Sequence, residues 1–485
     1  MAAWRFRQRP FRSSKNKVKQ IVKQLWNWVD DRTGLPGMIG RTARHLVPPD
    51  AKWWYVFGSA TLCAFMIQVI SGIALAFVYI PSAGEAYSTL HFISEEAPFG
   101  HFLRGLHYYG ASAMVLMVGL HMAQVFLAGS YKFPRELNWA TGVLLLAFTL
   151  AMGFTGQLLR GDQNAVWTVV VAAEQAGRTP FIGQWLAHFI LGGDTVGGAT
   201  FTRFFAIHVF IMPGFIFAFV GLHLWLVLRH GISEPPKPGK LVDPKTYRQE
   251  YKELLEKEGK PFWPDSAWRD VVFCVAMIVV IAALALVSGA PQLGKPPDPS
   301  ITTASPRPDW YFMWYFAVLA LLPHGTEQYF LVFGPLIVGI ILIALPFVFN
   351  RGERSPWRRP WAIAIVLMTV VMIATLWIAG VKSPWSPNFN AQPLSASVVG
   401  ATNGPVFIGA QLFHDKGCLN CHLIAGDGGR RGPDLTAVAD RLSANQMILK
   451  IANGAVNMPA YAANLTPAQM DALVAFLQTR RIQRQ

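Results

Sequence analysis

Seven apolar stretches, each long enough to cross a bilayer, constrain this chain more than any other feature. They lie near residues 53–80, 105–127, 139–159, 205–228, 270–289, 329–349 and 361–380, and a helix needs about 20 apolar residues to span the hydrocarbon core. Only helices or closed barrels satisfy their backbone polar groups in lipid, and runs of this length favour helices. The sequence therefore predicts an all-α, polytopic membrane bundle. A hydrophobic fraction of 53%, with 14% charged residues and a mean hydropathy of +0.33, agrees. Residues 1–23 are basic and polar, with no apolar core of a signal peptide before the first stretch.

The net charge of +15 invites a nucleic-acid reading, but the charge is segregated by loop. Residues 1–52 carry twelve Lys/Arg, 229–269 carry nine and 350–360 carry four, whereas 81–101 carry none and 290–328 only Lys295 and Arg307. Such alternation is the positive-inside pattern. It puts the N-terminus, 128–138, 229–269 and 350–360 on the cytoplasmic side and everything after the seventh stretch outside, and it argues against nucleic acid as a partner. Ahead of the first stretch, Val18, Ile21, Val22, Leu25, Trp26 and Val29 recur at helical spacing opposite Lys15, Lys17, Lys19 and Lys23. That is the pattern of a helix lying on lipid. Residues 1–50 form this interfacial segment, 51–230 and 231–382 two membrane units of four and three spans, 383–402 a Pro/Ser/Asn-rich linker, and 403–485 a small soluble helical domain. The last domain closes with Thr466-Pro467-Ala468-Gln469, an N-cap, N1 proline and capping-box Gln.

His107 and His121 are 14 residues apart in the second stretch, and His208 and His223 are 15 apart in the fourth. Either spacing is about four helical turns, or roughly 21 Å of rise, so each pair shares nearly one face. Neutral imidazole is the usual axial ligand of haem iron, and two bis-histidine haems stacked across the bilayer would fill this arrangement. A single intramembrane histidine serves as readily in a polar core contact or a proton path. Gly58 and Gly72 in the first stretch, and Gly142 and Gly156 in the third, repeat with the same 14-residue period. Alone this could be small-residue helix packing; phased with the histidines, it lets a macrocycle edge pass a backbone and points to two b haems. Arg104 and Arg203 precede His107 and His208 by a few residues, where a guanidinium could pair with a haem propionate or snorkel to the interface.

Cys63 and Cys274 sit alone in apolar stretches and read as small hydrophobes. Cys418-Leu419-Asn420-Cys421-His422 is C-x-x-C-H, the attachment pattern of a c-type haem with His422 as axial ligand. A zinc site would need a second Cys pair, which the sequence lacks. Gly432-Pro433-Asp434-Leu435 and Met458-Pro459 follow in an order and spacing that resembles small cytochromes c; the resemblance makes Met458 the candidate sixth ligand, while Met447 and Met470 fall on predicted helices and read as core.

Over roughly residues 25–380 the chain resembles the cytochrome b of the cytochrome bc (bc1/b6f) complexes. The matching stretches are Leu103-Arg104-Gly105-Leu106-His107, Lys132-Phe133-Pro134-Arg135-Glu136, Gly161-Asp162-Gln163, Thr202-Arg203-Phe204-Phe205-Ala206-Ile207-His208 and Pro308-Asp309-Trp310-Tyr311. The 15-residue histidine spacing and the stop after seven spans look like the chloroplast-type branch, here with both halves in one chain. That branch attaches an extra haem through a cysteine near the start of the first span; Val56 stands there and Cys63 is two turns later, so no such haem is expected. Arg160-Gly161 replaces the usual Pro-Trp before Asp162-Gln163.

The resemblance implies a quinol:cytochrome c oxidoreductase working by a Q-cycle with proton translocation. It makes Pro308-Asp309-Trp310-Tyr311 the quinol-oxidation motif, with Asp309 in place of the usual Glu as proton acceptor. Without that context the tetrapeptide would read as an interfacial aromatic belt with an N-cap. It makes His107/His208 the outer and His121/His223 the inner haem ligands. It also calls for a separate Rieske iron-sulfur subunit, a c-type or other soluble acceptor, a homodimeric complex and a bacterial inner membrane. A second reading is a di-haem anchor that passes electrons to the quinone pool without bifurcation; such an anchor has no use for Asp309. A transporter fits poorly, because no charged residue other than histidine lies mid-span.

Overall fold

The computed structural model of the protein describes residues 14–193, 195–297, 306–323, 326–382, 391–430, 432–454, 458, 461–462 and 464–482. Part of the linker, residues 383–390, and Pro459 lie outside the described residues. Among the described residues, seven helices are long and apolar enough to cross a membrane: Phe57–Ala76, Gly100–Leu127, Glu136–Leu158, Gly198–His230, Phe262–Val287, Tyr329–Val348 and Pro360–Lys382. They coincide with the seven apolar stretches, but the second, fourth and fifth begin earlier, because polar turns there continue the helix. The fifth span thereby takes in Arg269 and Asp270 near the end where it begins.

The fourth span contains one π-turn at Ile207–Ile211. A π-turn absorbs one extra residue in a helix. This explains why the histidines of the fourth span are 15 apart and those of the second 14. With about 100° per residue, a fifteenth residue would swing His223 away from the face of His208, and the π-turn returns it.

The spans pack through small residues, as helices must in lipid where burial of apolar area drives little. Ala60 and Ala64 are fully buried in a cluster with Phe65, Met114, Ile216, Met277 and Ile281, and a Cβ on Gly105 would lie 3.0 Å from Cα of Ala285. The first and fifth spans bring the Cys63 and Cys274 thiols close to each other. The outward faces remain apolar, with Val279, Leu286 and Met368 exposed.

The loops sort into two ends. At one, Leu46–Val47 pairs antiparallel with Lys260–Pro261, and Leu241–Val242 with Gly352–Glu353. At that same end Arg135 donates to Gly231 O and to Tyr247 Oη, and buried Arg354 pairs with buried Glu234 at 3.2 Å. Burial opposes ionisation of Glu234, but the Arg354 and Lys240 charges outweigh it and hold its carboxyl below the ordinary range. All four basic loops thus meet at one end. At the other end Asp162 caps the helix Gln163–Gly177, accepting from Ala165 N at 2.9 Å, and also accepts from Gly294 N at 3.0 Å. The loops at this end hold helices the sequence reading missed, at Ala86–Glu95, Gln163–Gly177, Gly183–Leu191 and Met313–Leu321.

The N-terminal helix Ser14–Thr33 leaves Val18, Ile21, Val22, Leu25 and Trp26 exposed, the apolar face expected to lie on lipid. The C-terminal domain has its own core of Phe413, Leu419, Ile424, Met447, Leu473 and Phe476. Its helices Gly404–Asp415 and Pro467–Gln478 cross where Gly409 abuts the Ala472 carbonyl, and the Phe413 and Phe476 rings are 5.8 Å apart. Thr466 and Gln469 form the expected capping box.

Candidate haem and quinol sites

Four helices bring the two histidine pairs face to face. The His107 and His208 ring centres are 6.3 Å apart. Two imidazoles each bonded at about 2 Å to a shared metal would have ring centres about 6 Å apart, so this gap fits a bis-histidine iron. His121 and His223 line one cavity of roughly 490 Å³ together with Gly58 and Gly142. Each glycine faces its own histidine: a Cβ would lie 3.2 Å from His121 Cε1 at Gly58, 3.1 Å from His107 Cε1 at Gly72, 3.6 Å from His223 Cε1 at Gly142 and 2.7 Å from His208 Cε1 at Gly156.

The residues just before three of these glycines were not singled out from the sequence. Ser71 Oγ lies 2.9 Å from His107 Nδ1, Thr141 Oγ1 2.9 Å from His223 Nδ1 and Thr155 Oγ1 3.1 Å from His208 Nδ1. Each hydroxyl gives its own proton to a carbonyl one turn back, Ile67 O, Leu137 O and Ala151 O. The oxygen is left to accept from Nδ1–H, which puts the lone pair on Nε2, the tautomer a metal requires. The signal was a hydroxyl–glycine dipeptide, Ser71-Gly72, Thr141-Gly142 and Thr155-Gly156. Phe57-Gly58 breaks the pattern, and the fourth ligand, His121, has no hydroxyl on Nδ1. The inner cavity also holds Tyr55 and Asp270, whose carboxylate accepts from Ser59 Oγ at 2.8 Å.

The two arginines differ. Arg104 donates to Ser94 Oγ at 3.1 Å and to Pro291 O at 2.5 Å, while Arg203 is exposed. Both stand at the end opposite the basic loops, one turn or so from His107 and His208. Val56 precedes the first span in a buried position.

Asp309 starts the turn Trp310–Phe312, but its side chain makes no capping hydrogen bond. Instead its Oδ2 accepts from Tyr311 Oη at 3.0 Å. Burial pushes the carboxyl above its ordinary range; the Tyr311 hydrogen bond and the Arg160 charge oppose that, and Asp162 adds to it. The segment is anchored from the third-to-fourth span region: Gln157 Nε2 and Asn164 Nδ2 donate to Arg307 O at 3.3 and 3.2 Å, and Arg307 N donates to Asn164 Oδ1 at 3.0 Å. Trp310 Nε1 reaches Ser112 Oγ on the second span at 3.1 Å, and Pro308 leads the chain into the site. Tyr311 Oη packs where a Cβ on Gly153 would be 2.7 Å away. Gly153 and Gly156 are three residues apart on one helix, so the Asp309–Tyr311 pair sits one turn, about 4.5 Å of rise, from the residue that faces His208.

In the C-terminal domain Cys418 and Cys421 occupy a single helical turn, Cys418–Cys421, with His422 next. His422 Nδ1 lies 2.9 Å from Pro433 O, which again leaves Nε2 as the ligand atom, and burial lowers its tendency to protonate. A Cβ on Gly432 would stand 2.6 Å from its ring. Met458 packs against the domain core, as does Met470, and Met447 is buried in it.

Three family models match consecutive parts of the chain: cytochrome b(N-terminal)/b6/petB over residues 112–296, cytochrome b(C-terminal)/b6/petD over 296–399, and cytochrome C oxidase, cbb3-type, subunit III over 408–477. Cytochrome b6 of Synechococcus sp. (strain JA-3-3Ab) is 36% identical over 214 residues, which is 44% of this chain and 100% of that protein. The menaquinol:cytochrome c reductase cytochrome b subunit of Bacillus subtilis (strain 168) is 38% identical over 223 residues, again 44% of this chain and 100% of the relative. Among solved structures, a hyperthermophilic respiratory Complex III superposes with a TM-score of 0.62 at 28% identity, covering 73% of this chain and 91% of that one. The chain belongs to the cytochrome b/b6 family and carries both halves of cytochrome b and a c-type cytochrome domain in one polypeptide.

Proposed function

We propose that the protein is the catalytic cytochrome b/c subunit of a quinol:cytochrome c oxidoreductase that oxidises quinol by a bifurcated, Q-cycle route coupled to proton release. The observation that carries this reading is the position of Asp309: a carboxylate outside the spans, free of capping duty, one helical turn from the glycine that faces His208. A membrane anchor that only relays electrons needs no proton acceptor there.

His107 with His208, and His121 with His223, hold two b haems; Cys418, Cys421, His422 and Met458 hold one covalent c haem. When bound, these groups supply one-electron acceptors on both sides of the bilayer. The four glycines leave room for the b haem edges, the Ser71, Thr141 and Thr155 hydroxyls fix imidazole tautomers, and Arg104 and Arg203 stand where propionates would be neutralised. Quinol binds beside Pro308, Trp310 and Tyr311. As it is oxidised its O–H bond breaks, the proton passes to an Asp309 carboxylate oxygen, and Tyr311 Oη orients that carboxylate. Of the quinol's two electrons, one leaves to a Rieske iron-sulfur subunit, which must be a separate chain because no second Cys/His set exists in this sequence, and the other would go to the one-electron acceptor that His107 and His208 would hold. The complex is a homodimer in a bacterial inner membrane, with the basic loops and N-terminus in the cytoplasm and residues 403–485 outside.

Asp309→Asn tests the reading. An amide keeps the side-chain size but cannot take the proton, so quinol oxidation should slow by about 10²–10⁴-fold while the haem spectrum is retained. Wild-type turnover with a normal spectrum would remove Asp309 from the mechanism.

A further inference from the structure

Arg160 stands where the family's usual tetrapeptide has proline, and its surroundings give it work at the quinol site. Its Nη2 lies 2.5 Å from Asp162 Oδ2. Asp162 is fully buried and already accepts from Ala165 N and Gly294 N. The Nε of Arg160 is buried and makes no hydrogen bond. On either side of Arg160 in the chain, Gln157 and Asn164 hold the backbone of Arg307, two residues before Asp309. The loop bearing this guanidinium is therefore docked against the segment that bears the catalytic carboxylate.

The groups that act on Asp309 come from three places. Tyr311 is its hydrogen-bond donor from its own segment, Tyr108 on the second span lies within its field, and Arg160 and Asp162 act on it through their charges from the third-to-fourth span loop. Arg307, nearest in sequence, turns its guanidinium to Val381 O at 2.9 Å. Among these, Arg160 is the cation. A buried aspartate with one methylene less than glutamate reaches less far toward water or a partner, and a nearby cation compensates by favouring the anion.

We propose that Arg160 is a positioning residue for quinol oxidation: from a loop docked on the Asp309 segment it favours the anionic Asp309 carboxyl that accepts the quinol's proton, while its fork stays anchored on Asp162. The proposal rests on the assignment of Asp309 as proton acceptor. It predicts that the charge of residue 160, more than its shape, sets the acid limb of the pH–rate profile. A base must be unprotonated to act, so activity falls as pH drops through the Asp309 pKa, and losing the cation moves that fall to higher pH.

The experiment compares pH–rate profiles of the purified complex with menadiol as donor, reading reduction of the chain's own c haem and recording the b haem spectrum of each preparation. Arg160→Gln should move the acid limb up by about one pH unit and leave the rate at high pH within a few-fold of wild type. Arg160→Lys should return the limb to its wild-type place. If Arg160→Gln loses its b haems because the Asp162 carboxylate is left unpaired, Arg160→Gln/Asp162→Asn carries the same test. Asparagine still caps the following helix, and the limb should again rise, by less. A uniform loss of rate at every pH with the limb unmoved, with Asp309→Asn slow as expected, would overturn the role of Arg160 and leave Asp309 in place. Wild-type turnover in Asp309→Asn would instead sink the reading beneath it.

Discussion

Gly156→Ala should cost the outer b haem. The added Cβ would sit 2.7 Å from Cε1, 3.2 Å from Nε2 and 3.3 Å from Nδ1 of His208. Ordinary carbon contacts begin near 3.5 Å, so the ring would have to retreat by about 0.8 Å. It has little room to do so, because its Nδ1 is held by Thr155 Oγ1 at 3.1 Å and the partner ring of His107 is centred 6.3 Å away. Overpacking of this kind costs about 1–3 kcal/mol, or about 5- to 150-fold in haem affinity. The helix itself would gain, since alanine is better than glycine inside a helix by about 1 kcal/mol, so haem loss could not be blamed on a weakened span. The c haem is covalent and serves as an internal standard: the ratio of extractable b haem to bound c haem should fall from two toward one. Gly72→Ala and Gly58→Ala, at 3.1 and 3.2 Å, should be intermediate, and Gly142→Ala, at 3.6 Å, the mildest of the four. Two full-occupancy b haems with an unaltered spectrum in Gly156→Ala, or greater damage from Gly142→Ala, would refute the argument that these glycines exist for close approach to the imidazoles.

Wild-type protein should contain two extractable haems and one covalent haem per chain; a second covalent haem would show that Val56 was misread and that another attachment point exists. Protease added to right-side-out vesicles should release the haem-bearing fragment around residues 403–485 and leave the 229–269 loop intact, and protection of the haem c fragment would overturn the assigned orientation.

The histidine and glycine spacings were readable because coordination and close approach demand particular residues at particular helical phases, and few other sequences meet that demand by accident. The π-turn at Ile207–Ile211 was hidden: an inserted residue in an apolar run has no composition of its own, and only the mismatch of 15 against 14 betrayed it. The Ser71, Thr141 and Thr155 hydroxyls were hidden for another reason. Serine and threonine inside helices routinely bond the carbonyl one turn back, so nothing in the sequence separates those that also hold a histidine. Loop charge assigned a side but not a partner, which is why the pairing of Leu46–Val47 with Lys260–Pro261 came only from the fold. The proximity of Cys63 to Cys274 depends on the rotation of two helices about their axes, and two short apolar residues say nothing about that.

The third span is the element that ties these features together. One face of it presents Gly142 and Gly156 to the histidines of the fourth span, Gly153 to Tyr311, and Gln157 to the backbone of Arg307. Asn164, just beyond it, closes the grip on Arg307 from the other side. The Asp309 loop and the His107–His208 pair are therefore registered against one rigid helix over five residues, Gly153 to Gln157, rather than against each other through a flexible connection. A helix advances about 1.5 Å per residue with fixed phase, so the separation between Asp309 and the His107–His208 pair is set by backbone geometry. In the proposed function, proton and electron leave the same quinol in different directions, and a separation fixed in this way keeps both acceptors within reach of one ring.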